Sequence, residues 1–290
     1  MKRNIAFIVN PSAGTKKKDF IEIFLRNSIP GDIHFEILHW TNKHDFESIR
    51  KFILSSTFTE LVAVGGDGTV NEVAKVAIEK KLPLGIIPHG SGNGLARSLK
   101  ISMKTAKALK TILKGKTTCI DGGVINGKMF FCTSGVGFDA HIGYLFAQLK
   151  SRGLWGYIKT TLREIFNYKS VEYRITLNGK TFTRDAFLIT FANAGQYGND
   201  FYISPQAKLN DGLLHVVIFK PFLLLSAPSI FLRVILRKAH TSRFIETYTS
   251  DKVSIRRVEK GPIHFDGEPG NEGFEINVEC KKKILNVLID

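Results

Sequence analysis

At 290 residues, with 43% hydrophobic and 23% charged side chains, the chain is long enough for one large domain or two ordinary ones and too apolar to be disordered. Lys and Arg outnumber Asp and Glu by 41 to 26, a formal +15 that suits a polyanionic partner (nucleic acid, an anionic membrane surface or phosphorylated small molecules) or else a solvated basic surface. Cys119, Cys132 and Cys280 lie far apart with no CxxC spacing, which excludes a cysteine zinc site and a disulfide framework and fits a reducing cytoplasm.

Taken in chain order, the first 115 or so residues alternate strand and helix. Ile5–Val9 reads as a strand, its five apolar residues too short a run for a signal peptide core. Helical periodicity follows at Lys16–Arg26, a strand at Ile33–Leu38 and a helix over Lys43–Leu54. Leu61–Val64 and Leu84–Ile87 are short apolar runs of the buried parallel type, with a helix over Val70–Lys80 between them. Helices are predicted at Gly94–Leu99 and Met103–Lys114. Repeated βαβ units imply a layered α/β domain with ligands at the carboxyl ends of its strands.

After Gly115 the pattern changes. Thr117–Val124, Met129–Thr133, Val171–Leu177, Phe182–Ala192, Leu213–Phe219, Lys252–Arg257 and Phe274–Val278 are short runs, and Asn126-Gly127 and Asn178-Gly179 are hairpin turns. Helices interrupt them near His141–Lys150, Trp155–Tyr168 and Phe222–Arg237. The apolar stretch from Pro221 to Leu236 is broken by Pro228 and Arg233 and falls short of the roughly 20 residues of a membrane span, although it could touch a bilayer. The expected division is an α/β domain at 1–116, a mainly antiparallel β domain at 117–280, and a closing strand at 281–290 returning to the first domain.

The chemistry concentrates in a few loops. Val62-Ala-Val-Gly-Gly-Asp-Gly-Thr-Val-Asn71 runs a strand into glycines and then a helix, so that free N–H groups and a positive dipole end face whatever lies there. An acid inside such a loop repels phosphates unless a metal or a transferable proton intervenes. Asn10-Pro-Ser-Ala-Gly14, followed by Lys16, Lys17 and Lys18, suggests a second phosphate contact. Pro88-His-Gly-Ser-Gly-Asn-Gly-Leu-Ala-Arg97 is another strand–loop–helix junction, with polar Ser91 and Asn93 and cationic Arg97. His264-Phe-Asp-Gly-Glu-Pro269 sets two carboxylates either side of a glycine; Asp-Gly pairs are mostly turns, and an extended segment would instead point both acids to one side. Lys208-Leu-Asn-Asp-Gly-Leu213 is a turn containing Asp211. His89, His141 and His264 show no metal spacing, and Asp139 reads as a helix N-cap. A P-loop and the protein-kinase motifs are missing from the sequence.

Asn10-Pro-x-Ala-Gly14, Gly65-Gly-Asp-Gly-Thr69, Pro88-x-Gly-Ser-Gly-Asn93 with Leu95-Ala-Arg97, and Asp266-Gly-Glu268 stand in the order and at spacings like those of the diacylglycerol kinase catalytic domain family. The chain resembles that family, which includes bacterial diacylglycerol and other lipid kinases and the sphingosine and ceramide kinases, over nearly its whole length. The resemblance implies a nucleotide-binding α/β domain related to those of NAD kinases and phosphofructokinases, a β-sandwich domain, and an active site in the cleft between them. It assigns nucleotide contacts to Asn10, Thr41, Gly65, Gly66, Asp67, Gly68, Thr69, Val70, Asn71 and Ser91. It makes Glu268 the usual catalytic base with Asp266 its partner, and Asp67 an acid thought to be catalytic in some members. Lys208, Asp211 and Leu213 match a structural Mg²⁺ turn, Lys208 and Leu213 through backbone carbonyls, an oxygen set suited to a hard cation. Many diacylglycerol kinases carry Asn-Asp where this chain has Asn93-Gly94, a version nearer to the sphingosine kinases.

The reading is an ATP- and Mg²⁺-dependent lipid kinase that phosphorylates a hydroxyl of diacylglycerol or of a sphingoid base or other lipid. It is cytoplasmic, peripherally associated with anionic membrane, with no nucleic-acid partner and with room for a homodimer. An NAD kinase has the similar glycine–aspartate loop, but its Asn-Asp-Glu segment is missing here. A non-enzymatic basic module binding membrane or nucleic acid lacks support from any RNA-binding aromatic motif or helix-turn-helix signature.

Overall fold

A computed structural model describes residues 2–10, 18–40, 43–148 and 160–290. The chain divides into two compact units, residues 1–120 with 283–290, and residues 121–282.

In the first unit a parallel sheet has the order β2-β1-β3-β4, from strands Asn4–Val9 (β1), His34–His39 (β2), Glu60–Gly65 (β3) and Leu84–Pro88 (β4). The central strands β1, β3 and β4 are buried nearly end to end, as expected where helices cover both faces, and their sequences are continuous apolar runs rather than alternations. The connecting helices are Lys18–Ser28 (α1), Lys43–Ser55 (α2), Asp67–Lys80 (α3), Gly94–Ser98 (α4) and Thr105–Lys114 (α5). α3 starts at Asp67, three residues before the predicted start, because the glycine loop is itself the first turn. It ends on Lys81 in the left-handed conformation, whose N–H bonds back to the last turn.

The second unit is a β-sandwich. The strand Lys116–Ile125 (β5) leads into it and pairs with Lys128–Phe130 (β6). One sheet pairs Val171–Leu177 (β8) with Lys180–Ala186 (β9) and with Lys252–Arg257 (β13), and β13 with the start of Glu275–Ile289 (β16), all antiparallel. The other has the order β12-β11-β10-β7-β14-β15, from Thr133–Gly137 (β7), Leu188–Ala192 (β10), Leu214–Phe219 (β11), Ile245–Ser250 (β12), Gly261–Phe265 (β14) and Glu268–Glu272 (β15). Ile175, Val253 and Ile276 from the first sheet pack in one core with Val136, Ile189, Phe191, Val216 and Ile263 from the second. The outer face of the six-stranded sheet is covered by Phe138–Gln148 (α6) and by the helix Ala227–Ile235, through Phe138, Ile142, Ile230 and Val234. Both Asn-Gly pairs close two-residue hairpins with positive φ at each turn residue, the geometry that matches strand twist.

Four readings of the sequence change. Phe182–Ala192 is two strands in different sheets, broken at Phe187, a switch that a continuous apolar run cannot display. Met129–Thr133 likewise spans the end of β6 and the start of β7. Phe222–Arg237 is not one helix: a 3₁₀ turn at Leu224–Ser226 precedes Ala227–Ile235, since Pro228 is tolerated only in a helix's first turn. Phe274–Val278 and the run after Lys281 form one strand, Glu275–Ile289, with Lys283 at φ 51 within it. The expected helix at Trp155–Tyr168 lies partly outside the described residues; 160–164 are helical. Among the described residues no helix is long and apolar enough to cross a membrane.

Candidate active site

β3 and β4 each end in a glycine loop, and the two loops touch through their backbones. A Cβ on Gly90 would overlap the Gly66 Cα, and one on Gly66 would come within 3.1 Å of the Gly90 Cα. The His89 N–H donates to the Gly65 carbonyl at 2.7 Å, tying β4's exit to β3's. Asp67, first residue of α3, reaches across: its Oδ1 accepts the Gly94 N–H at 2.7 Å, and its Oδ2 lies 2.7 Å from where a Gly92 Cβ would stand. Gly94 opens α4, whose own N-cap, Asn93, makes no side-chain cap bond. Asp67 therefore caps a helix from another loop, which satisfies an orphan N–H and places a negative charge at a positive dipole end. This N–H belongs to the glycine that stands where many diacylglycerol kinases have aspartate.

The remaining unit 1 candidates gather round these loops. The Asn10 Nδ2 donates to Thr69 Oγ1 at 3.1 Å, bringing the end of β1 to the start of α3. Thr69, Val70 and Asn71 are buried in α3's first turns, whereas Gly66, Asp67 and Gly68 are half-buried. Ser91 is exposed at the tip of the second loop. Asn93 is turned inward at φ 53: its Nδ2 donates to the Gly90 carbonyl at 2.7 Å and its Oδ1 accepts the Gly90 N–H at 2.9 Å. Thr41 and Pro11–Gly14 lie outside the described residues.

In unit 2, Asp266 and Glu268 are not neighbours along an extended segment. Asp266 and Gly267, at φ 50 and 82, form the turn between β14 and β15, and Phe265 pairs with Glu268 across it. The extended geometry that would aim both acids to one side gives way because Asp-Gly is the sequence of a two-residue hairpin. The Asp266 carboxylate accepts three backbone N–H groups, from Phe131 at 2.7 Å, Cys132 at 2.7 Å and Thr133 at 3.1 Å, and its own N–H donates to the Thr133 carbonyl. It pins the β6–β7 connection to the turn that carries the half-buried Glu268.

Two acids are more connected than their sequence context suggests. Asp139 does bond the Ala140 N–H like a cap, but its Oδ2 also meets His264 Nε2 at 3.0 Å, the Tyr197 hydroxyl at 3.0 Å and the Thr190 hydroxyl at 3.2 Å. A Cβ on Gly135 would come within 2.9 Å of both that oxygen and His264 Nε2, so only glycine leaves room. His264 thus holds Asp139. Asp121, 1% exposed, accepts the Gly212 N–H at 2.6 Å, and its N–H donates to the Leu209 carbonyl at 2.6 Å. It supports the Lys208–Leu213 turn from beneath, while the exposed Asp211 accepts the Leu213 N–H at 3.1 Å. An acid within the apolar run of β5 was the available signal for Asp121. Asp139, read as a helix N-cap within Gly135-Val-Gly-Phe-Asp139, was missed beyond that because its partners come from distant segments.

The turn's donor set is oxygen, carboxylate and carbonyl, as a hard cation requires. Burial, reinforced by Asp121 and Asp211, pushes the nearby Cys280 thiol up to about 12. Lys282 lies against Gly212 and offsets part of that charge. No group of three or more His, Cys, Asp or Glu side chains is placed to hold a metal among the described residues, so backbone carbonyls would have to complete the shell.

The family model described as "Diacylglycerol kinase catalytic domain" matches residues 4–125, and "YegS C-terminal NAD kinase beta sandwich-like domain" matches residues 133–289. The chain is 31% identical to the diacylglycerol kinase of Bacillus subtilis (strain 168) over 73% of its length and 72% of the relative's. It is 30% identical to "Probable lipid kinase YegS-like" of Klebsiella pneumoniae (strain 342), covering 82% of this chain and 80% of that protein. The crystal structure of a diacylglycerol kinase from Bacillus anthracis str. Sterne has the same fold, with a TM-score of 0.73 and 19% identity over 100% of this chain and 97% of that one. A glycine-loop α/β unit followed by a β-sandwich, matched in sequence along both parts, places the chain in the diacylglycerol and lipid kinase family.

Proposed function

We propose that the protein transfers the γ-phosphate of ATP to a hydroxyl of a lipid, diacylglycerol being the acceptor its relatives' names support best. The observation that carries this reading is the pair of interlocked glycine loops, braced by Asp67, at the carboxyl ends of β3 and β4. Phosphoryl transfer asks a protein chiefly to position the donor and to neutralise charge. The N–H groups of Gly66–Thr69 and the α3 dipole offer the donor phosphates a cradle, with Asn10 and Ser91 as flanking contacts. Thr41 is carried as a nucleotide contact on resemblance alone. Mg²⁺ accompanying the nucleotide would neutralise phosphate charge and lets a carboxylate such as Asp67 stand close by. Glu268 is the general base, accepting the proton that the lipid hydroxyl releases as its oxygen bonds to phosphorus and ADP departs. Asp266, its lone pairs engaged by three N–H groups, positions that turn. A second Mg²⁺, held by Asp211 and the carbonyls of Lys208 and Leu213 above the Asp121 anchor, would keep the 208–213 turn closed.

Incubation with ATP, Mg²⁺ and a mixed lipid extract, read by mass spectrometry, tests the reaction and names the acceptor. A phosphorylated lipid is the expected product. ATP consumption without one, or phosphorylation of a nucleotide such as NAD, overturns the reading.

A further inference from the structure

Seven of the nine residues of the helix Ala227–Ile235 are apolar, Ser229 and Arg233 being the exceptions, yet only Ile230 and Val234 are buried. Ile230 and Val234 pack into the core over the six-stranded sheet, with Val217, Phe219 and Ile245. The opposite side shows Phe231 and Leu232, each 55% exposed, and Ile235; the 3₁₀ turn before it adds Leu225 at 93%, and Leu223 just ahead of that turn is 76% exposed. A cluster of exposed apolar side chains of this kind on a surface marks an interaction site. Leu224 and the exposed Phe166 line one hollow of about 230 Å³ beside Phe187 and Phe222, so the apolar surface continues past the helix.

Charge selects the occupant. Residues 220–244 carry Lys220, Arg233, Arg237, Lys238 and Arg243 and no Asp or Glu. Two of the cations are held in place: Arg233 Nη1 donates to Thr241 Oγ1 at 2.5 Å, and the Arg237 guanidinium stacks 4.0 Å from the Tyr202 ring centroid. Lys220 is paired with Glu246 at 3.3 Å, and the exposed leucines and phenylalanine rimmed by Arg237, Lys238 and Arg243 complement acyl chains beneath anionic headgroups.

We propose that Leu223–Leu236 is the element by which this protein docks on an anionic lipid bilayer, inserting Leu223, Leu225, Phe231 and Leu232 while Arg237, Lys238 and Arg243 meet the headgroups. The proposal goes beyond the kinase reading and does not depend on which lipid is phosphorylated. It is tested with the full chain and its L225E/F231E and K238E variants, in co-sedimentation with phosphatidylglycerol-rich and with pure phosphatidylcholine vesicles. The salt is taken from about 0.1 M to about 1 M, across which the screening length falls from about 10 to about 3 Å. Leu225 is 93% exposed, and Phe231 has one ring contact, to Phe201 at 5.6 Å, so the variants should stay folded with melting temperatures within a few degrees of the wild type. The expected result is strong binding to the anionic vesicles, at least about tenfold weaker for L225E/F231E and reduced for K238E, with salt weakening the wild type. Turnover of detergent-dispersed lipid should be the same for all three. Undiminished vesicle binding by L225E/F231E overturns the proposal. So does wild-type self-association that L225E/F231E abolishes with vesicle binding unaltered, which would make the face an interface between copies. Absence of turnover in wild type and variants alike would count against the kinase reading and leave the binding comparison intact.

Discussion

Asp67 and Asp266 share a feature that changes what each can do: backbone N–H groups hold their carboxylates. For Asp67 the bond to Gly94 is a helix cap, and asparagine retains an oxygen that can accept it. Asp67→Asn should therefore melt close to the wild type yet lose at least about a hundredfold in kcat, the lower scale for removing a charged group from a transition state. Asp67→Ala should in addition lose about 1 kcal/mol of stability with the cap. Melting curves and steady-state kinetics on the pair separate the roles; near-wild-type turnover in a folded Asp67→Asn would reduce the residue to a brace. The two acids of the Asp266-Gly267-Glu268 turn should part in the same way. Glu268→Gln is expected to lower kcat by at least about a hundredfold at unchanged melting temperature. Asp266→Asn tolerates the left-handed backbone but turns an amide N–H₂ toward N–H groups, and should cost about 1–3 kcal/mol of stability. If Glu268→Gln keeps its single-turnover rate, Glu268 is not the base.

At the scale of elements, the glycine loops were legible because a strand, glycines and a helix follow each other without interruption, and the βαβ alternation because each run is apolar throughout. Their contact was not. Nothing in Gly65–Thr69 or Pro88–Arg97 says that Gly66 and Gly90 meet backbone to backbone, since that depends on β3 and β4 being adjacent in register, Gly65 opposite Pro88. The Asp139 site was hidden for the same reason: His264, Thr190 and Tyr197 reach it from β14, β10 and the segment after β10. β9 and β10 merged in the sequence because a change of sheet leaves no mark in hydrophobicity. The loop contact makes a prediction of its own. Gly90→Ala pushes a methyl onto Gly66 and should cost about 1–3 kcal/mol and weaken ATP binding, because overpacking here separates the cradle from its support. Gly66→Ala, with 3.1 Å available, should disturb the fold less. Calorimetry with ATP and thermal melts on both variants check the order; equal effects would mean the loops move independently.

For the molecule as a whole, the decisive element is β16. Its early residues Ile276 and Val278 are buried in unit 2 and pair with β13, whereas Leu285, Val287 and Leu288 are buried in unit 1, where Val287 pairs with Leu84 of β4. One strand thus contributes core to both units, and unit 1 is completed only by the chain's last residues, 283–290. An ionised carboxylate in either core costs several kcal/mol, against a total stability of about 5–15 kcal/mol for a domain. Val287→Asp should therefore release unit 1 selectively: hydrogen exchange should show lost protection in Ile5–Val9 and Leu61–Val64 while β10 and β11 stay protected. Val278→Asp, nine positions earlier in the same strand, should do the reverse. Val287→Ala, which leaves a cavity but no charge, should stay folded at a melting temperature a few degrees lower. ATP binding divides the variants again, since the nucleotide loops belong to unit 1: Val287→Asp should lose it and Val278→Asp should keep a measurable part. If both substitutions unfold the whole chain in one step, the two units form a single cooperative system and β16 is its common core.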